Sequence, residues 1–196
     1  MPSICYNLLL LDGPAADIDA FRRAFVSFDA LDCPRLDLNA ILPMPEHIPV
    51  PAMADRPACR PDEDISWLNW RLRHWGSKWN STNGRWTVLG SQNVALTFET
   101  PWGPPDGAYH ALARDSRMRN LTAIVAGQME PYAEGAWIGE IADGRFTSDA
   151  VSKDDKNLVQ AFDLANPPRV PEHILQGLGR IQSTLSDAPR RAAVAA

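Results

Sequence analysis

The sequence predicts an α+β domain built on an antiparallel sheet, and three observations lead to that expectation. Residues 3–12 form a continuous apolar run that stops at Asp12-Gly13-Pro14, the mark of a central strand and its turn. Residues 77–100 change to a period of two around Asn83-Gly84 and Gly90-Ser91-Gln92. A segment with helical spacing follows each of these stretches, so strand and helix alternate along the chain.

In order, the first strand leads into a helix opened by Pro14. Asp17 and Asp19 suit its N-terminal dipole, and Ile18, Phe21, Phe25 and Phe28 repeat on one face. From Leu31 to Asp62 there are prolines at 34, 43, 45, 49, 51, 57 and 61, which deny the chain any long element. Because that segment also carries Leu36, Leu38, Ile41, Leu42, Met44, Ile48 and Val50, it is expected to lie packed over the domain.

A helix is expected from the cap and acids at Asp62-Glu63-Asp64 to Gly76, with Leu68, Leu72, Trp75 and Trp79 on a buried stripe. Trp67, Trp70, Arg71 and His74 share the neighbouring stripe. Residues 77–100 then read as a β-meander or bulged hairpin. Pro104-Pro105 opens a helix through about Ser116, with Ala108, Leu112 and Ala111 inward. "NLTAIVAGQ" is the next strand, and "AEGAWIGEIADGRFT" a hairpin turning at Asp143-Gly144.

Without its insertion at about 31–76, this order is the split βαβ arrangement called ferredoxin-like. One such domain is expected over residues 1–150. Residues 151–196 form an extension with a last helix from Pro171 to about Leu185, carrying Ile174, Leu178, Ile181 and Leu185 at helical spacing, and a frayed tail.

With 196 residues the chain can bury a full core, about 70% of its unfolded surface. A hydrophobic share of 45% and a charged share of 22% exclude neither class of globular protein but argue against global disorder and against a membrane protein. The opening "MPSICYNLLLLDG" has no basic n-region and no small-residue cleavage site, so it reads as a strand and not a signal peptide. Cys5, Cys33 and Cys59 are odd in number and far apart, with no C-x-x-C pair. They are expected to be reduced thiols of a cytoplasmic protein, holding neither zinc nor a cluster.

The net charge of −5, with Lys and Arg scattered, disfavours binding by phosphate neutralisation. The one basic cluster is Arg71, Arg73 and Lys78. No G-x-S-x-G, H-E-x-x-H, P-loop or dinucleotide pattern occurs, and His47, His74, His110 and His173 stand apart from any matching Cys or Ser signature. No catalytic residue, cofactor or metal ligand is therefore assigned. Asp62-Glu63-Asp64 and Asp154-Asp155 are read as a cap and a solvated loop.

The 7 tryptophans are the unusual feature of the composition. Trp75 and Trp79 are expected in the core. If residues 77–80 alternate as a strand, Lys78 and Asn80 face away from Trp79, beside Trp102 and the Pro-rich insertion. An aromatic and cationic surface of that kind binds a peptide or stacks a base. The candidate binding residues are Arg71, His74, Lys78, Asn80 and Trp102.

Three segments, "ILPMPE" at 41–46, "HWGSKWN" at 74–80 and "FETPWGPP" at 98–105, together resemble the signature segments of the YubB-type ferredoxin-like proteins of plasmids, prophages and other mobile elements. The family's second segment usually reads N-W-G-T-K-W-N and its third has Ala-Trp-Ser, so His74, Ser77, Pro101 and Gly103 depart from it. The resemblance covers about residues 1–150. It implies a ferredoxin-like fold and a mobile-element origin, and no biochemical role.

The expected function is that of a non-enzymatic interaction protein binding a host or element-encoded protein, such as an inhibitor of a host defence complex. A nucleic-acid module using the sheet face is the alternative, and it requires Arg71, Arg73, Lys78 and Arg85 to form one exposed patch beside an aromatic. An enzyme of unrecognised class is the third. No membrane partner is expected.

Overall fold

Strand β1 (Ile4–Asp12) runs through the middle of a six-stranded antiparallel sheet. It pairs on one side with β5 (Asn93–Pro101) and on the other with β6 (Thr122–Met129). Beyond β5 lies β4 (Thr82–Val88); beyond β6 lie β7 (Ala136–Ala142) and β8 (Arg145–Val151). These assignments come from a computed structural model that describes residues 3–50, 66–129 and 135–151. The molecule is α+β, with a sheet order β4-β5-β1-β6-β7-β8.

The apolar run of β1 follows from this central place, because Leu8 to Leu11 are buried in succession on alternate faces of the sheet and a strand so placed needs apolar side chains there. Leu9 and Leu11 face the helix layer, together with Val94, Leu96 and Val125. Leu8 and Leu10 face the other way, with Ala95 and Ala126.

Helix α1 (Ala15–Phe25) follows at once and buries Ile18, Phe21 and Phe25, whose two phenyl rings meet edge to face at 5.3 Å. Phe28 is not on that stripe as expected. The chain leaves the helix at Val26 for a short strand, β2 (Val26–Phe28), and Phe28 is 55% exposed. β2 pairs with β3 (Pro34–Leu36), a hairpin that the helical period had masked.

The rest of the described insertion has no long element, as the prolines required. Asp37 caps a single turn, α2 (Leu38–Ile41), accepting from the Asn39 and Ala40 amides. Leu36 and Leu38 are fully buried, and Ile41, Leu42 and Met44 pack on the same core. Helix α3 (Ser66–His74) ends where expected, at Gly76 with φ 84°. Its expected cap at Asp62–Asp64 lies outside the described residues, as do Cys59, Asp154-Asp155, the helix from Pro171 to Leu185 and the tail.

Asn83-Gly84 is not a turn. It forms a bulge inside β4, with Asn83 at φ 51° and the register shifting between Thr82 and Arg85; the hairpin reverses at 89–92. The bulge has a cause in packing, because β3 crosses so close that a Cβ on Gly84 would overlap the Pro34 carbonyl. Asp143-Gly144, by contrast, turns the β7–β8 hairpin as expected, with φ of 50° and 76°.

Helix α4 (Asp106–Ala113) buries Ala108, Tyr109, Leu112 and Ala113. It stops short of Ser116 because Asp115 caps a separate 3₁₀ turn, Ser116–Met118. At its other end α4 abuts the end of α3: a Cβ on Gly107 would overlap the His74 carbonyl. In an open helix Gly→Ala stabilises by about 1 kcal/mol. Here the sign reverses: Gly107→Ala is expected to cost about 1–3 kcal/mol through overpacking, read as a lower denaturation midpoint at unchanged m-value.

Candidate functional site: an aromatic and cationic joint at one end of the sheet

Segments 41–46, 74–80 and 98–105 converge where β1 begins and β5 ends. The indole of Trp75, 1% exposed, donates from Nε1 to the Leu42 carbonyl at 2.8 Å. A Cβ on Gly76 would lie 2.6 Å from the Pro104 carbonyl oxygen, and the Ala108 amide donates to the Trp75 carbonyl at 3.4 Å. The Ser77 hydroxyl donates to the Trp79 carbonyl at 2.9 Å, with the Pro101 carbonyl at 3.4 Å.

Residues 77–81 are not a strand. That removes the alternation on which the expected division between Trp79 and its neighbours rested, and it changes three placements. Trp79 is only half-buried and not in the core. Lys78 does not face away from it; its Nζ lies 5.2 Å from the Trp79 ring centroid and 4.4 Å from that of Trp102.

Asn80 turns inward instead of outward. Its Oδ1 accepts from the Leu38 amide at 2.8 Å and from the Ser81 amide at 2.9 Å, while Nδ2 donates to Asp37 Oδ1 at 2.8 Å. Ser81 completes the tie by donating to the Leu36 carbonyl at 2.6 Å. Burial works against the Asp37 carboxylate, but the Asn80 and Ser27 side chains and the Ala40 amide outweigh it and hold its pKa below the usual value.

Trp102 is the exposed member, at 42%. It stands between the buried Pro101 and Gly103 with a left-handed φ of 73°. That strain is fixed by its surroundings: its amide donates to the Ser3 carbonyl at 2.8 Å, and Thr100 Oγ1 donates to the Gly103 carbonyl at 2.7 Å. Thr100 in turn accepts from Asn7 Nδ2 at 2.8 Å. Asn7, a lone polar residue inside an apolar strand, was the available sequence signal for this buried tie.

The other two candidates sit on α3. The Arg71 guanidinium carbon lies 5.2 Å from the Trp67 ring centroid and 5.0 Å from that of Trp75. The His74 ring stacks on Trp70 at 4.4 Å, with Nδ1 2.8 Å from the Trp70 carbonyl. Lys78 and Trp102 are therefore brought together, while Arg71 is held by Trp67 of its own helix and by Trp75 just beyond it, and His74 by Trp70. Arg85 pairs with Thr97 on the sheet face away from the helix layer.

Beneath the joint lies a polar group that the sequence did not signal. Burial pushes the Cys5 thiol up to about 12, with the Trp137 indole alongside acting in the opposite sense. Burial likewise raises Tyr109 and Asp106. Tyr109 OH, Asp106 Oδ1 and Trp137 Nε1 are buried without a hydrogen-bond partner at bonding geometry. A thiol so raised is protonated at neutral pH and is a poor nucleophile. Among the described residues no three His, Cys, Asp or Glu side chains gather to hold a metal, and no helix is long and apolar enough to cross a membrane.

Comparison with protein-family models, with curated proteins and with solved structures finds no match.

Two outcomes follow from this geometry. Asn80→Ala deprives two amides of their acceptor and is expected to cost about 2–3 kcal/mol in denaturant unfolding, whereas Lys78→Met, at the same joint, is expected to stay within about 1 kcal/mol. Asp106 keeps its proton to higher pH folded than unfolded, so its ionised form opposes folding above that raised value and the cost fades as pH falls through it. Asp106→Asn should therefore raise the melting temperature near neutral pH, with the gain shrinking in acid.

Proposed function

We propose that the protein is a non-enzymatic interaction protein whose contact face is centred on Trp102 and Lys78. The observation that carries this reading is the backbone of Trp102. A non-glycine residue in the left-handed region costs about 1–2 kcal/mol, and here the strained residue is an indole displayed to solvent at 42%. Strain held in place by buried neighbours is a feature of binding and functional sites. Tryptophan is also the side chain that most often anchors a protein interface, and a desolvated cation over its ring strengthens with burial by a partner.

The partner we propose is a protein of the host or of the mobile element, such as a host defence complex that it inhibits. The mobile-element setting rests on the resemblance of the three segments to YubB-type proteins, and those segments form the joint. The sheet order β4-β5-β1-β6, with α1 before β4 and α4 between β5 and β6, supports a ferredoxin-like reading extended at one edge by β7 and β8. A cytoplasmic setting suits the free thiols of Cys5 and Cys33.

The nucleic-acid alternative has less support. It needs four cations in one patch, and Arg71 stacks between Trp67 and Trp75 while Arg85 lies on the far sheet face. On that face Tyr6 stands opposite Glu99, a poor platform for a phosphate backbone.

Trp102→Gly separates function from stability. Glycine relieves the strained φ, so the variant is expected to match or exceed the wild-type melting temperature. It should nevertheless lose at least about tenfold in partner recovery by quantitative affinity purification from a bacterial lysate, the loss of about 1.4 kcal/mol or more that a hot-spot residue carries. Equal recovery by both proteins would overturn the assignment.

A further inference from the structure

The ammonium of Lys78 is held by rings and not by an anion. Its Nζ lies 4.4 Å from the Trp102 ring centroid and 5.2 Å from that of Trp79. An indole face attracts the charge, but it gives the three N–H donors of an ammonium no conventional acceptor. Among the described residues the one ion pair joins Arg117 to Asp115. Two acids of neighbouring segments are committed elsewhere: Asp37 takes Asn80 Nδ2 and the amides of its own helical turn, and Glu99 takes Asn83 Nδ2. Facing water, the Lys78 donors are solvated. Under a partner that closes over Trp102 they lose that water, and a desolvated charge without a counter-charge is costly.

The distribution of charge along the chain points the same way. There are 24 acids in 196 residues, yet none falls between Ser66 and Phe98, the stretch that carries Arg71, Arg73 and Lys78. Arg73 is exposed. The segment that supplies the joint is therefore basic within a chain that is acidic overall, which draws an acidic group to it and repels a basic one.

We propose that the partner protein engages this face with a carboxylate, an Asp or Glu side chain that pairs with Lys78, next to an apolar side chain that packs on Trp102. This deepens the contact-face reading and rests on it. A nucleic-acid backbone fits the same ammonium less well, because it needs a row of cations, and Arg71 and Arg85 are placed elsewhere.

The test uses the full-length protein and a phage-displayed library of short random peptides, selected on wild type and counter-selected on Trp102→Gly. The expected binders carry Asp or Glu beside an apolar residue. Changing that acid to its amide should weaken binding to wild type by about tenfold or more and binding to Lys78→Met by much less, as a direct charge pair requires. Neutral or basic binders that need Trp102, or acid-to-amide changes that weaken both proteins equally, would overturn the inference and leave the contact face standing. Tighter, Lys78-dependent binding of a single-stranded oligothymidylate than of any selected peptide would overturn it in favour of phosphate. A library that yields no Trp102-dependent binder would overturn the contact face and the inference together.

Discussion

The indole of Trp75 is the group on which the rest of the arrangement depends. A tryptophan buried to 1% removes a large apolar area from water, but its N–H has to find an acceptor or the burial is costly. The acceptor is the carbonyl of Leu42, deep in the proline-rich insertion. That bond ties a segment without long elements of its own to the end of α3. Because the Trp75 carbonyl also takes the Ala108 amide, α4 is drawn to the same point, and Gly107 is needed there because two backbones meet. Three stretches far apart in sequence are thus fixed by one residue and its main chain.

The display of Trp102 follows from that rigidity. Its flanking residues are held by bonds from Ser77 and Thr100 and by its own amide's bond to Ser3, so the backbone has no freedom to relax into an ordinary conformation. Lys78 is positioned by the same loop and lies across the ring. The result is a preformed aromatic and cationic surface, in which little side-chain entropy would be left to lose on binding the proposed partner.

How far the sequence revealed this depended on the range of the interactions. The central strand, the first helix and the Asp143-Gly144 hairpin were legible because each is fixed by a local pattern: an apolar run, a period of 3.6, a turn dipeptide with positive φ. Phe28 and the β2–β3 pairing were not, because Phe28 falls at helical spacing from Phe21 and Phe25 and only pairing with Pro34 turns it into a strand residue. Asn83-Gly84 has the composition of a turn, yet the approach of Pro34 makes it a bulge. At the site, Lys78 and Trp102 were picked out by chemistry and do meet, but Asn80 was expected outward on the assumption of strand alternation. Its amide is committed to Leu38, Ser81 and Asp37, partners that no local pattern announces.

The two margins of the sheet are treated differently. β4 is shielded by the hairpin that leans over its bulge, with the Asn83 amide bonded to Asp29. β8 has no strand beyond it among the described residues, and it leaves Thr147, Ser148, Asp149 and Ala150 in solvent. A free row of backbone donors and acceptors invites a strand from another chain, and natural sheets deter this with short polar edges carrying charge. Asp149 in the middle of β8 and Arg145 at its start serve that purpose. A β8 made uniformly apolar would offer the same sheet as a template for fibrils.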